Sequence, residues 1–119
     1  MAKEITEMKT QTFINDWIAT GNDFKTKEYL DFYQPDAILD DPSVGATFSG
    51  HSGIREYFDS YFIGFQTQTK LVRLDVLDDE NAHLEVEFTG KFPEGKIGGT
   101  FDFTFKGGKI SFVKADLIL

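Results

Sequence analysis

The chain has 119 residues, with 12 basic and 20 acidic side chains, a formal charge of −8 and no cysteine. That balance disfavours nucleic acid and anionic membrane surfaces, which both need clustered Lys and Arg. The missing thiols exclude disulfides, thiolate metal sites and cysteine nucleophiles. The length fits one domain, residues 1–119. Its 13 Phe among 40% hydrophobic residues offer enough apolar area for one core or for the walls of a cavity. Charged and polar residues interrupt Ile5 to Ile18, so neither a signal peptide nor a membrane span is expected, and the expected setting is cytoplasmic.

Ile5, Met8, Phe13, Ile14, Trp17 and Ile18 recur at helical spacing, predicting an amphipathic helix from about Glu4 to Thr20 that Gly21 ends. Asn22 or Asp23 is a candidate cap for a second helix, which carries Phe24, Tyr29, Leu30 and Phe32 to about Tyr33, where Pro35 stops it. A short apolar strand, Ala37-Ile38-Leu39, leads into Asp40-Asp41-Pro42 and a loop of small residues, Ser43 to Ser49. The third helix starts near Ser52 and presents Ile54, Phe58 and either Tyr61 or Phe62 to the core.

After Gly64 the period becomes two: Val72, Leu74 and Val76, then Leu84, Val86 and Phe88, then Phe101, Phe103 and Phe105, each alternating with polar residues. Lys106-Gly107-Gly108-Lys109 predicts a tight hairpin before a last strand from Ile110 to Leu119. The expected fold is therefore α+β: three helices covering the apolar face of a curved antiparallel sheet.

A carboxylate at the end of an apolar strand, under a Gly/Ser/Thr loop, is the place that looks built for chemistry. Asp41 has two readings there: a pocket carboxylate, or a turn residue whose side chain bonds nearby N–H groups. Asp40 points to the opposite face of an extended segment, so the two do not share a proton. Trp17 is either core or an indole donor facing a ligand. His51 either starts the third helix or acts as an acid/base at a pocket mouth. His83 falls in the polar phase of its strand and is expected at the surface. The two histidines lie far apart without a ligand motif, so neither metal nor cofactor is expected.

DFYQPDAILDDP before GHSGIREYF, with GGKI before the last strand, resembles the nuclear transport factor 2-like (cystatin-like) superfamily. The resemblance spans essentially the whole chain and is nearest to its ketosteroid isomerase and SnoaL-like polyketide cyclase branch. It implies a cone whose hydrophobic pocket lies between helices and sheet, with Phe58, Leu84, Val86, Phe88, Phe101 and Phe103 as lining residues. The same resemblance implies a small hydrophobic ligand and a homodimer formed through the outer sheet face, where Glu85, Glu87, Asp102 and Lys114 stand. Asp41 takes the place of the isomerase's general base, and Trp17 falls where that enzyme has an oxyanion-binding tyrosine. The second donor there is a protonated aspartic acid. Anchoring on the hairpin puts Phe101 at its position and sends Asp102 to the opposite face. The implied function is a cofactor-independent pocket protein whose chemistry, if it has any, is proton transfer next to a carbonyl. The alternative is a non-catalytic binding or interaction module.

Overall fold

The computed structural model describes residues 2–118, with side chains from Glu7 to Ile118; the side chain of Ile5 and the whole of Leu119 lie outside the described residues. Among these, the elements are α1 (Ala2–Asn22), α2 (Thr26–Leu30), β1 (Tyr33–Asp41), β2 (Ala46–Ser49), α3 (Gly50–Phe58), a π-helical turn (Asp59–Ile63), β3 (Gln68–Val76), β4 (Asn81–Thr89), β5 (Lys96–Lys106) and β6 (Lys109–Ile118). The expected α+β class is observed, as one six-stranded sheet in the order β2-β1-β6-β5-β4-β3. The third helix follows a strand, as expected, so the three helices do not form one N-terminal block. One expectation needs correction: the sheet is mixed rather than antiparallel, because β1 runs parallel to β6.

Long antiparallel ladders β3/β4, β4/β5 and β5/β6 carry the period-two segments, with the hairpin turned by Gly107 and Gly108 at φ 60° and 77°. Left-handed φ is the conformation glycine reaches without a Cβ clash. Register shifts between Tyr33 and Ile38, Leu71 and Arg73, and Thr104 and Phe105 bend the strands as bulges do. The second shift overturns the inward placement of Val72. It is the unpaired residue between Leu71 and Arg73 and stands 53% exposed. Met8, expected on the buried stripe of α1, is likewise exposed.

Helix α1 runs one residue past Gly21, and Phe24 in the left-handed region closes the turn. Gly21 lies beside the rings of Tyr29 and Phe58, where an added Cβ would sit in ordinary contact at 3.7 Å. Asn22 does not cap α2, whose N-cap is Lys25; its amide accepts from the Thr69 N–H and donates to the Thr69 carbonyl, tying the end of α1 to β3. The second helix also stops at Leu30, short of the expected Tyr33. Pro35 then sits in the irregular part of β1, where the pairing with β6 shifts and a missing N–H costs no ladder bond.

The inner face of the sheet, Leu84, Val86, Phe101, Phe103, Val113 and Ala115, is buried against Ile14 and Trp17 of α1 and Ile54, Tyr57 and Phe58 of α3. Trp17 sets its ring edge-on to Phe101 and Phe103 at centroid distances of 5.0 and 5.3 Å, and Phe58 stacks on Tyr29 at 4.1 Å. Each such buried side chain contributes about 1.5–3 kcal/mol of hydrophobic stabilisation.

Candidate functional site

Strand β1 ends on Asp41, which the pleat turns inward with Ala37 and Leu39, and which is 5% exposed. Its Oδ1 accepts from the Ser43 N–H at 3.0 Å and from the Ser43 hydroxyl, and its Oδ2 accepts from the Tyr57 hydroxyl at 2.9 Å. Asp41 thus holds the turn through Ser43 and lines a cleft at once, so its two readings coexist. A carboxylate offers about four acceptor positions, and these donors use three of them. Tyr57 reaches it because Ile54, Tyr57 and Phe58 share the buried stripe of α3. Burial, and after it the Asp41 charge, push the Tyr57 phenol well up, keeping it a donor.

Beside this group opens a cleft of about 180 Å³, walled by Tyr57, Tyr61, Phe62, Phe65, Phe88 and Phe92, with Thr67, Ile97, Leu117 and, at the rim, Glu94. The π-helical turn supplies part of that wall. It is pinned by Thr67, whose N–H donates to the Phe62 carbonyl and whose hydroxyl donates to the Tyr61 carbonyl, at 2.8 and 2.9 Å. Such turns are frequent at functional sites because they re-aim neighbouring side chains. Pockets for drug-sized ligands run to roughly 300–1,000 Å³, so this one suits a smaller molecule than a steroid.

The other expected site residues lie elsewhere. Trp17 does not line the cleft; its indole N–H donates to the Tyr33 hydroxyl at 3.2 Å inside the core. Tyr33 and Tyr29 share a hydrogen bond of 2.7 Å, and burial above all pushes Tyr33 up to about 12 and Tyr29 well above the ordinary phenol range. The unfolded chain gives up these protons near pH 10 and the folded chain later, so stability is full below about pH 10 and falls above it. His51 Nε2 lies 2.9 Å from the Tyr33 carbonyl, which can only accept, so His51 donates and fastens the start of α3 to β1. Of the expected lining residues, Phe88 borders the cleft, whereas Phe58, Leu84, Val86, Phe101 and Phe103 are core, because Trp17 and Phe58 fill the hollow of the sheet. Asp102 is exposed on the outer face, bonded to His83 Nδ1, and Asp40 accepts from the Thr47 hydroxyl. Among the described residues no group of three or more His, Asp or Glu side chains is placed to hold a metal, and no helix is long and apolar enough to cross a membrane.

Ser43 and Tyr57 escaped the sequence reading, although both left signals: an Asp-Pro-Ser turn, and a tyrosine three residues after Ile54.

A bent sheet, helices over its inner face and an aromatic cleft at one carboxylate define a nuclear transport factor 2-like fold. The chain belongs to the SnoaL-like domain family, whose model matches residues 14–113. No curated protein sequence matches it significantly. Among solved structures it is similar to a candidate polyketide cyclase from Sinorhizobium meliloti, at 20% identity over 87% of this chain and 93% of that one, with a TM-score of 0.79. It is also similar to SalBIII, an epoxide hydrolase/cyclase-like enzyme of pyran ring formation in salinomycin, at 18% identity over 95% and 93% of the two chains and a TM-score of 0.82. A third, from Catenulispora acidiphila, has a ketosteroid isomerase-like fold and was solved with trimethylamine; it shares 12% identity over 87% and 82%, with a TM-score of 0.76.

Proposed function

We propose that this SnoaL-like chain binds a small, largely apolar organic molecule in the cleft beside Asp41. The observation that carries the reading is a buried carboxylate, with one acceptor position unused, at the edge of an aromatic cleft. The Catenulispora protein's ligand, trimethylamine, is in the size range the volume favours. No cofactor enters the reading. A protein-observed NMR screen of small organic molecules tests it. Expected are shifts clustered at Asp41, Tyr61 and Phe92; stabilisation by nucleotides or divalent ions alone would reject it.

A catalytic form of the same reading has Asp41 taking a proton from a carbon next to a carbonyl, the role its resemblance to the ketosteroid isomerase base implies. The free acceptor position favours it, with Tyr57 returning a hydrogen bond to the carboxyl group. Trp17 has no part, since its N–H is spent on Tyr33. Steroid isomerisation should be weak at best, because loss of one oxyanion donor alone costs about 10²–10³ in turnover. The proposed setting is the cytoplasm and the proposed assembly a homodimer through the outer sheet face. There Asp40, Lys114, Asp102 and His83 follow one another across the strands, so acids alternate with bases, and exposed Ile38 and Phe112 are register partners.

A further inference from the structure

We infer that the ligand of this cleft is an organic ammonium cation, a tertiary or quaternary amine with methyl-sized substituents. The inference rests on the binding reading above and adds the sign of the ligand's charge. The six cleft rings do not form one flat slab. Tyr57 and Tyr61 meet at 47° with centroids 5.3 Å apart, Phe62 and Phe88 at 86° and 5.9 Å, and Phe65 and Phe92 at 84° and 6.2 Å. Rings at such angles cannot lie in one plane, so a ligand among them meets aromatic faces as well as edges. Their faces carry the negative part of the aromatic quadrupole, so a cation gains an attraction there that a neutral molecule of the same shape does not.

The charges agree with the rings. Asp41 and Glu94 are the ionisable carboxylates among the lining residues, and among the described residues no Lys or Arg lines the cleft. A protonated amine can give its N–H to the unused Asp41 position, and a quaternary one is held by charge and ring faces. At about 30 Å³ per water, the 180 Å³ of the cleft equals roughly six waters, the bulk of a trimethylammonium group with a short tail. The net charge of −8 draws cations toward the surface from a distance.

The test titrates the protein with choline and, separately, with its neutral isostere 3,3-dimethyl-1-butanol, following the ligand methyl signals by NMR. Choline should bind at least about ten-fold more tightly, with its N-methyl resonance moved upfield by the ring faces. Tyr61→Leu and Phe92→Leu should weaken choline and leave the isostere nearly unchanged. An isostere that binds as well as choline overturns the charge assignment while sparing the binding reading. Choline binding that both variants leave intact and modest salt abolishes would be diffuse surface attraction, and also overturns it. If neither compound binds at millimolar concentration and the broader organic screen is also blank, both readings fall together.

Discussion

Replacing Asp41 with Asn keeps the shape of the side chain but changes what three donors meet. Asn retains one oxygen, so the Ser43 N–H and hydroxyl can stay bonded, now to a neutral acceptor. The new amide NH₂ faces the Tyr57 hydroxyl, which must turn to accept or lose its partner. A hydrogen bond to a charged group is worth about 1.5–3 kcal/mol and a neutral one about 0.5–1.5, so roughly 1 kcal/mol is lost at each of the three contacts. Removing a 5% exposed charge returns part of its desolvation cost, leaving a net destabilisation of about 1–2 kcal/mol. With a urea slope of about 1–3 kcal/mol per molar, the unfolding midpoint should fall by roughly 1 M. Ser43→Ala should cost less, and the double variant less than the sum, because both act on one carboxylate. An Asp41→Asn protein that unfolds at the same or a higher urea concentration would mean that these donors do not hold the carboxylate, and the polar anchor of the cleft would be gone.

Stability should decline as pH rises past about 10, with Tyr33 alone accounting for about 2 kcal/mol by pH 12 from its shift to about 12. Urea midpoints at pH 8, 10 and 11 measure this; equal slopes for Tyr33→Phe and the parent would exclude the buried phenol as the cause. Gly99→Ala would bring a Cβ within 2.3 Å of the Phe88 ring, driving that ring from its place in the cleft wall at about 1–3 kcal/mol. Thermal unfolding should show the loss and its partial recovery with Phe88→Leu; full stability for Gly99→Ala alone would refute the close approach.

The sheet was readable where one face is apolar over several residues. Leu84/Val86/Phe88 and Phe101/Phe103/Phe105 announce their strands, and the alternation along β5 sends Asp102 outward. Features that depend on distant partners were not readable. The parallel pairing of β1 with β6 has no local signature, so Tyr33 to Pro35 read as the end of a helix. The 46–49 stretch became strand only because β1 was there to pair with it. A bulge of one residue reversed Val72, which no alternation pattern can foresee. The Asp-Pro turn marks where β1 ends, with Asp41 bonded to Ser43. The destination of Trp17 was not legible, because the Tyr33 hydroxyl that takes its N–H arrives from sixteen residues away.

The joint between β1 and β6 has a consequence in time. Among the described residues it is the one ladder that unites β2-β1 with β5-β4-β3, and it joins Tyr33–Asp41 to Lys109–Ile118, far apart in sequence. During synthesis the Asp41 strand is therefore made early and waits, with one edge unpaired, until β6 has left the ribosome. Topologies closed by such non-local contacts fold slowly and leave apolar edges open to other chains meanwhile. In this molecule the strand that waits is the one that ends in the cleft, so Asp41 gains its full sheet context only after β6 is made.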